Sequence, residues 1–428
     1  MIDTIFALSS GPPPAAIAVL RISGPQAAAA LAALAGRLPK SRRATLVELR
    51  DSRDGAVLDR ALALWLPGPA TATGEDVAEL HLHGGRAVVA AVEAALACVE
   101  GLRRAEAGEF TRRAFSNGRI DLAEAEGLAD LLAAETELQR RSAMALASGV
   151  VSRQVESWRE RVLALAARVE ALLDFADEDD VAALPPRFAA DCEAIAEELT
   201  EWLTRPRAEP LREGFRIVLA GPPNSGKSSL FNVLTESEAA ITSPSPGTTR
   251  DVITRTVAIE GVPLQFVDTA GLREGTDDAI ERIGIDRALR AARDADLVLW
   301  LGAPGEGPPG VELWEIAARC DRPDALARPT ARHVVSAHRG DGVAALRAEL
   351  VATARTALPK PGEVALGERQ HRLLAECRSA MAAAAGLGDP LLMAEALRMA
   401  RLSLDRLVGR SGTEDMLDAL FARFCIGK

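Results

Sequence analysis

The pattern of apolar and polar positions divides the 428-residue chain into four segments. Residues 1–116 mix short strand-like runs with helical stretches, which predicts a compact α/β unit. Residues 117–213 and 359–428 carry apolar residues at helical spacing. Between them, residues 214–358 alternate apolar runs with helical stretches, as in a βαβ-type domain. The predicted fold class is therefore α/β and α, with one α/β domain, a helical domain in two parts and a second α/β domain.

The clearest helical pattern lies in residues 117–213, where apolar residues recur at steps of three and four. These positions are Val155, Trp158, Val162, Leu165, Val169 and Leu172. Such a stripe is typical of a bundle core rather than of a membrane or cofactor surface. Since neither helical segment can bury its stripe alone, we expect residues 117–213 and 359–428 to pack together, with the second α/β domain inserted between them.

A complete phosphate-loop motif, Gly-x-x-x-x-Gly-Lys-Ser, occupies residues 221–228. It follows an apolar run and opens a helical pattern, the context that the motif requires. Gly221 and Gly226 let backbone N–H groups face the phosphates, Lys227 reaches the outer phosphates and Ser228 holds Mg²⁺. A chance match would have to reproduce strand, spacing, lysine and serine together. The motif predicts that the chain binds a nucleoside triphosphate.

Two further motifs narrow this prediction to a GTPase. Gly247-Thr248-Thr249 lies where a switch loop presents a threonine to Mg²⁺ and the terminal phosphate. Asp268-Thr269-Ala270-Gly271 ends an apolar run, so that its aspartate can hold the metal through water and its glycine amide can contact the third phosphate. Either motif alone also fits an ordinary glycine turn, although less well, and both occur in the expected order after a phosphate loop.

Two positions depart from the commonest GTPase pattern. Leu272 stands where many GTPases carry a water-orienting glutamine, so another group must orient the water. Glu281 carries a carboxylate that would serve, although the residues alone fit a solvated helix-face glutamate better. No Asn-Lys-x-Asp tetrapeptide is present, and the nearest candidate for base recognition is the segment 318–321, which keeps Asp321. The segment Ser336-Ala337-His338 fits the loop whose backbone contacts the base.

Composition argues against several other classes of protein. The net charge of −11 argues against extensive nucleic-acid binding by this chain alone. The five cysteines are scattered, with neither a Cys-x-x-Cys pair nor a disulfide pattern. No signal peptide and no apolar run of membrane-spanning length is evident, so we expect a cytoplasmic protein.

From end to end the chain resembles the MnmE (TrmE) family of tRNA-modification GTPases. The resemblance rests on the nucleotide motifs above, continued to Glu274, and on short motifs elsewhere. These motifs are 20–24 (LRISG), 73–77 (TGEDV), 83–85 (HGG), 108–111 (GEFT), 121–125 (DLAEA) and the terminal 424–428 (FCIGK).

The resemblance implies K⁺-stimulated GTP hydrolysis by two GTPase domains that meet across their switch regions. K⁺ would fill the place of an arginine finger. The implied K⁺ site is Asn224, Ser243, Ser245 and Thr248, and the implied Mg²⁺ site is Ser228 and Thr249. Glu281 matches the family's water-positioning glutamate, and with Lys227 it forms the expected catalytic pair. The expected GTP-binding residues are Asn224, Ser225, Gly226, Lys227, Ser228, Ser229, Ser243, Pro244, Ser245, Pro246, Gly247, Thr248, Thr249, Asp268, Thr269, Ala270, Gly271, Asp321, Ser336, Ala337 and His338.

The resemblance also implies that residues 1–116 bind a tetrahydrofolate derivative, in the 5,10-methylene or 5-formyl form, and mediate homodimerisation. The implied folate residues are Arg21, Glu79, Arg119 and Lys428. A pterin presents a guanine-like edge that a carboxylate can read, and cationic residues suit its glutamate tail. Taken singly, each of these residues is equally a surface charge. Cys425 is either a functional thiol or a small thiol packed beside Phe424.

The implied activity is addition of a carboxymethylaminomethyl group to C5 of wobble uridine in certain tRNAs. It would be carried out in a heterotetramer with the FAD-dependent partner MnmG (GidA), which would supply most of the tRNA-binding surface. Two other interpretations of the chain remain open. One is a ribosome-assembly-type GTPase switch that binds RNA or protein without modification chemistry, and the other is a degenerate scaffold that binds nucleotide without useful turnover.

Overall fold

A computed structural model describes most of the chain, namely residues 3–174, 184–222, 224–236, 253–268, 293–322, 328–360, 363–411 and 414–428. The chain forms two compact units. One comprises Met1–Ala129 with Asp405–Lys428, and the other comprises Asp130–Leu404. Across the described ranges, no helix combines the length and the apolar character needed to cross a membrane.

The first unit is built on a six-stranded sheet with helices. Its strands and helices are β1 (Thr4–Leu8), β2 (Ile17–Ser23), α1 (Ala27–Ala35), β3 (Thr45–Arg50), β4 (Val57–Leu66), β5 (Val77–His83), α2 (Arg86–Ala97), β6 (Leu102–Arg104), α3 (Glu109–Ser116), the first part of α4 (Leu122–Ala133) and α13 (Glu414–Phe421). The strand order is β3-β4-β5-β2-β1-β6, in which β1 and β6 are parallel and the other pairs are antiparallel.

Alternation along β2 explains why this sheet has one covered face. Ala18, Leu20 and Ile22 are fully buried in the core formed with α1 and α2. Val19 and Arg21, which point to the opposite face, are only half-buried. The four neighbouring strands β3, β4, β5 and β2 therefore present an open face, and the candidate folate residues of the strands lie there.

The second unit contains a bundle and a second sheet. Its elements are α5 (Glu137–Ala147), α6 (Val150–Asp174), α7 (Phe188–Leu203), α8 (Glu209–Glu213), β7 (Phe215–Ala220), α9 (Lys227–Glu236), β8 (Ile253–Ile259), β9 (Val262–Asp268), β10 (Leu297–Trp300), β11 (Leu313–Ala318), β12 (His333–Val335), α10 (Val343–Ala357), α11 (Glu368–Gly386) and most of α12 (Pro390–Leu407).

The second sheet has the order β12-β11-β10-β7-β9-β8, and all its pairs are parallel except β8 with β9. Its central strand β7 is apolar on both sides, as expected for a strand that is covered on both faces. Ile217 and Leu219 enter one core cluster, whereas Val218 and Ala220 enter another. Because parallel strands end at one edge, the carboxyl ends of β7, β9, β11 and β12 lie together there. The predicted nucleotide motifs follow these strands.

The bundle bears out the predicted packing of the two helical segments. Five of the six seam positions in α6 are buried, and Leu172, near the helix end, is half-buried. Trp158 meets Trp202 of α7 edge to face, with ring centroids 5.4 Å apart. Helix α7, which precedes the second sheet in sequence, packs extensively against α11, which follows it. The ring of His371 in α11 lies 3.3 Å from the carbonyl oxygen of Leu203. The helices on either side of the sheet domain thus share one core.

Candidate functional site

The phosphate loop lies between β7 and α9, as its motif predicted. Gly221 and Gly226 have φ values of +148° and +100°, which L side chains rarely adopt. A Cβ on Gly221 would also lie 3.0 Å from the backbone carbon of Leu301, at the end of β10. Asn224, the predicted K⁺ residue, adopts φ 59°, a left-handed conformation that asparagine tolerates better than most residues. The loop backbone is therefore curved tightly in front of the helix N-terminus.

Lys227 begins α9, and its side chain folds back over the loop. Its Nζ donates hydrogen bonds to the carbonyl oxygens of Gly221 at 2.9 Å and Pro222 at 2.7 Å. The residue is only 6% exposed, so its ammonium group is held at the surface of the loop itself. A buried cation beside a helix N-terminus suits an anionic ligand. This arrangement fits the role predicted for Lys227 at the outer phosphates of a nucleotide.

The hydroxyl groups of the loop are placed differently from one another. Ser228 and Ser229 are exposed in the first turn of α9, where they are accessible to a metal ion or phosphate. The Oγ of Ser225 is buried and has no hydrogen-bond partner among the described residues. An orphaned hydroxyl at this place is typical of a site that gains its partner from a ligand.

Asp268 is the last residue of β9 and lies directly beside the start of the phosphate loop. In the parallel register of β7 and β9 it faces Leu219, two residues before Gly221. It is 2% exposed, and a buried carboxylate requires a cationic or hydrogen-bonding environment. Its position is consistent with the predicted contact to Mg²⁺ through water.

The remaining switch and K⁺-site predictions lie outside the described residues. They concern Ser243, Pro244, Ser245, Pro246, Gly247, Thr248, Thr249, Thr269, Ala270, Gly271 and Glu281. These assignments stay predictions.

Asp321 and Ser336, predicted to recognise the base, are brought together by the parallel pairing of β11 and β12. The Oγ of fully buried Ser336 donates to Oδ1 of Asp321 at 2.7 Å. This hydrogen bond lowers the pKa of the Asp321 carboxyl. The carboxylate is thus ionised and fixed in orientation, as an acceptor for guanine N–H groups must be. Ala337 is half-buried and His338 exposed in the following turn.

Arg319, which the sequence analysis did not single out, links the base loop to the phosphate loop. Its Nη1 donates to the carbonyl oxygen of Asn224 at 2.5 Å. Its stem lies against Gly226, whose added Cβ would be 3.2 Å from the arginine Cγ. Arg319 also adopts a left-handed φ of 62°. In the sequence, only its position two residues before Asp321, within the candidate base-recognition segment 318–321, pointed to a role for Arg319.

In the first unit, two of the four predicted folate residues form a pair on the open sheet face. Arg21 and Glu79 are directly opposite in the antiparallel register of β2 and β5. The Nε and Nη2 of Arg21 lie 3.0 and 2.9 Å from Oε1 of Glu79, and both side chains are about one-fifth exposed. The guanidinium carbon of Arg21 also lies 5.8 Å from the ring centroid of Phe110. The pair combines a cation, a carboxylate and an aromatic surface.

The other two folate residues lie on loops of the same unit. Arg119 packs against Gly74, whose added Cβ would be 3.2 Å from the arginine Cγ. Lys428 ends the C-terminal tail, which is held against β1 by a hydrogen bond of 2.8 Å from Ser9 Oγ to the carbonyl oxygen of Gly427. The structure thus pairs Arg21 with Glu79 directly. The joint role of all four residues stays a prediction.

Cys425, in the same tail, is an exposed free thiol. Its neighbour Phe424 is buried, and the role of the Cys425 thiol stays a prediction. Among the residues that the structure describes, no three histidine, cysteine or acidic side chains are grouped as metal ligands.

Comparison with known proteins assigns the chain to a family. The family model described as "MnmE helical domain" matches residues 122–425, and the one described as "GTP-binding protein TrmE N-terminus" matches residues 4–119. Two curated relatives, each named tRNA modification GTPase MnmE, match over the whole of both chains. The relative from Novosphingobium aromaticivorans is 65% identical over 437 aligned residues, and that from Erythrobacter litoralis is 61% identical over 426.

Among solved structures, the G domain of the FeoB iron transporter of T. maritima is 24% identical. It covers 32% of this chain and 98% of its own, with a TM-score of 0.24. A likeness at this level says nothing about function. The two family models and the whole-length relatives decide the assignment, and the chain belongs to the MnmE (TrmE) family.

Proposed function

We propose that this protein is a K⁺-stimulated GTPase of tRNA modification. With a flavoprotein partner of the MnmG (GidA) type, it would add a carboxymethylaminomethyl group to C5 of wobble uridine in certain tRNAs. Its relatives are named tRNA modification GTPases. The main support for GTP binding is the arrangement at the carboxyl edge of the second sheet. There Lys227 folds over the phosphate loop, Asp268 lies beside it, and the hydrogen-bonded pair of Asp321 and Ser336 follows β11 and β12.

Guanine is the favoured base because Asp321 is held as an ionised acceptor. A carboxylate fixed by one hydrogen bond keeps lone pairs for the two N–H groups on one edge of guanine. Adenine presents a single donor and an acceptor to the same carboxylate, and that acceptor would be repelled. Discrimination of this kind is strong when the carboxylate cannot turn away. Asp321 thus supports guanine recognition even though the motif lacks its asparagine.

Asn224 is the described residue that would take part in holding K⁺. Arg319 donates to its backbone carbonyl, and none of the described residues hydrogen-bonds its side-chain amide. An amide oxygen is a suitable ligand for a hard cation. K⁺, when bound, would supply positive charge to the phosphate oxygens in place of an arginine finger. Glu281 would then orient the attacking water, as the resemblance implies.

Steady-state GTP hydrolysis in KCl and in NaCl at equal ionic strength tests the cation requirement. We expect the rate to be several-fold higher in KCl. Asn224→Ala should remove this difference while leaving nucleotide binding detectable. Glu281→Ala should abolish hydrolysis with binding kept, and Glu395→Ala, an exposed helix glutamate paired with Arg398, is the matched control. Equal wild-type rates in both salts would refute the K⁺ mechanism.

Homodimerisation is proposed through the open face of the first sheet. Ile17, Leu46 and Leu62 are 57%, 57% and 44% exposed there, and Leu46 and Leu62 are cross-strand partners. Large exposed aliphatic side chains on an open sheet face are typical of a protein interface. Leu62→Glu should shift the protein toward monomer in light scattering with chromatography. If neither Leu62→Glu nor Leu46→Glu affects the dimer, the open sheet face is not the dimer interface.

A tetrahydrofolate derivative is the proposed one-carbon donor, bound near Arg21 and Glu79. The paired carboxylate supplies acceptors for the amino-lactam edge of a pterin, and the nearby cations suit a glutamate tail. Calorimetry with 5-formyltetrahydrofolate should show binding to the wild type that is lost on Arg21→Ala. Unchanged affinity in that variant would eliminate this site.

The modification activity itself requires a reconstituted assay. The protein, an FAD-containing partner, folate, GTP and unmodified tRNA should together yield the C5-substituted uridine, detected by mass spectrometry of nucleosides. GTP turnover without any change in the tRNA would favour the alternative in which the protein is a ribosome-assembly-type switch.

A further inference from the structure

His81 lies next to the Arg21–Glu79 pair on the open sheet face. It follows Glu79 by two positions in β5, so both side chains point to the same side of the sheet. Its cross-strand neighbours are Val19 in β2 and Leu62 in β4. The histidine therefore stands between the proposed folate pair and the apolar part of the open face.

The imidazole of His81 has an unsatisfied nitrogen. Its Nε2 is buried and has no hydrogen-bond partner among the described residues. It lies 3.6 Å from Oε2 of Glu79, just beyond hydrogen-bonding distance. Leaving a buried polar atom without a partner is destabilising. The sheet thus holds a ring nitrogen close to the carboxylate without closing the bond.

The Glu79 carboxylate is held on one side only. Both nitrogens of Arg21 approach the same oxygen, Oε1, at 3.0 and 2.9 Å. Among the described residues, the other oxygen, Oε2, accepts no hydrogen bond, and its one ion-pair neighbour is His81. A carboxylate that reads two neighbouring N–H groups of a ligand must keep both oxygens in the plane of that ligand. Arg21 holds only Oε1, so the carboxylate has no second anchor at Oε2.

We propose that His81 is a positioning residue for Glu79 in pterin recognition, with Nε2–H closing a hydrogen bond to Oε2 when the ligand is bound. This inference rests on the folate site proposed above. A shift of about 0.6 Å brings the two atoms to ordinary hydrogen-bond length. The neighbouring carboxylate favours the tautomer that carries its proton on Nε2. Arg21 would then hold Oε1 and His81 would hold Oε2, and Oε2 would keep a lone pair for the ligand.

The same strand offers a histidine for comparison. His83 is 73% exposed in its side chain, and its Nδ1 lies 2.7 Å from Oδ1 of Asp59. It is satisfied within the protein and does not contact Glu79. His83→Ala is therefore a matched control for any general effect of removing an imidazole from β5.

Calorimetry with 5-formyltetrahydrofolate on the full-length protein tests the inference. We expect His81→Ala to weaken binding about ten-fold, which corresponds to about 1.4 kcal/mol. His81→Gln should restore affinity to within about three-fold, because its side-chain amide also donates a hydrogen bond. His83→Ala should bind like the wild type. GTP hydrolysis without folate should be unchanged in all three variants, and their far-ultraviolet circular dichroism and unfolding temperature should match those of the wild type, which would show that the first unit is folded.

The outcomes separate this inference from the function on which it rests. If the wild type does not bind the folate, or Arg21→Ala binds as well as the wild type, the proposed folate site is wrong. If Arg21→Ala loses binding but His81→Ala does not, the role of His81 alone is overturned. Equal weakening by His81→Ala and His81→Gln would also overturn it, since packing and not hydrogen-bond donation would then be responsible.

Discussion

The docking of the C-terminal tail makes Gly427→Ala an informative perturbation. Gly427 has φ +97°, and a Cβ placed on it would lie 2.1 Å from the carbonyl oxygen of Leu8 and 3.0 Å from Cα of Ser9. Its own carbonyl accepts the hydrogen bond from Ser9 Oγ at 2.8 Å. An added methyl group can be accommodated only if the tail moves away from β1.

The size of the effect follows from three contributions. A left-handed backbone costs a non-glycine residue about 1–2 kcal/mol. Displacing the tail breaks the Ser9–Gly427 hydrogen bond, which contributes about 1 kcal/mol. Alanine also lowers the conformational entropy of the unfolded chain, which stabilises the folded state by about 0.4–1 kcal/mol. The net loss of about 2 kcal/mol is smaller than the stability of a typical domain, about 5–15 kcal/mol. We therefore expect the tail to be released while the sheet stays folded.

Thermal unfolding, hydrogen exchange and folate calorimetry together measure this release. In Gly427→Ala, the amides near Ser9 and residues 425–428 should exchange faster. Folate affinity should also fall, because Lys428, one of the predicted folate residues, is displaced with the tail. Gly36→Ala is the control, since Gly36 has φ +70° but an added Cβ meets nothing within 4 Å. If the two glycine variants behave alike in all three measurements, the steric contact at Gly427 is not the cause of the effect.

Three further predictions concern the other unit and the charged residues. Ser336→Ala removes the hydrogen bond that fixes Asp321, so the preference for GTP over ATP in competition binding should fall about ten-fold, about 1.4 kcal/mol; an unchanged ratio would show that the carboxylate is fixed otherwise. Burial opposes ionisation of Glu109, but hydrogen bonds from two arginines outweigh it and lower the pKa of this carboxyl. The stabilisation is thus present above about pH 4.5 and is lost as the pH falls below it. The difference in urea unfolding free energy between the wild type and Glu109→Gln should shrink in that window, and a constant difference would contradict the ionic contribution. Burial raises the pKa of the Cys192 thiol to about 11 and that of Cys377 to about 12. Both should resist a thiol reagent at pH 8 until the protein unfolds, whereas the two exposed cysteines should react at once; early labelling of either buried thiol would mean that the bundle opens.

The sequence alone predicts those features that depend on residues close together along the chain. The phosphate loop needs only a strand, a glycine-rich turn and a helix N-terminus in succession, and the structure has β7, the loop and α9 there. The apolar seam of α6 was predictable because helical spacing alone puts Val155, Trp158 and Val162 on one side. Short strands with little signal of their own, such as β1 (Thr4–Leu8) and β12 (His333–Val335), were not predicted, since pairing with neighbours stabilises them.

What only the tertiary structure decided is which distant residues meet. The register of β2 and β5 places Arg21 opposite Glu79, 58 positions later, and a slip of one residue would turn one of them to the other face. Arg319 reaches Asn224 across 95 positions because the loops after β7 and β11 meet at one edge of a parallel sheet. The sequence names each of these residues but does not say which of them are close in space. Strand pairing set their distances, because it depends on the burial of whole faces and not on any local pattern.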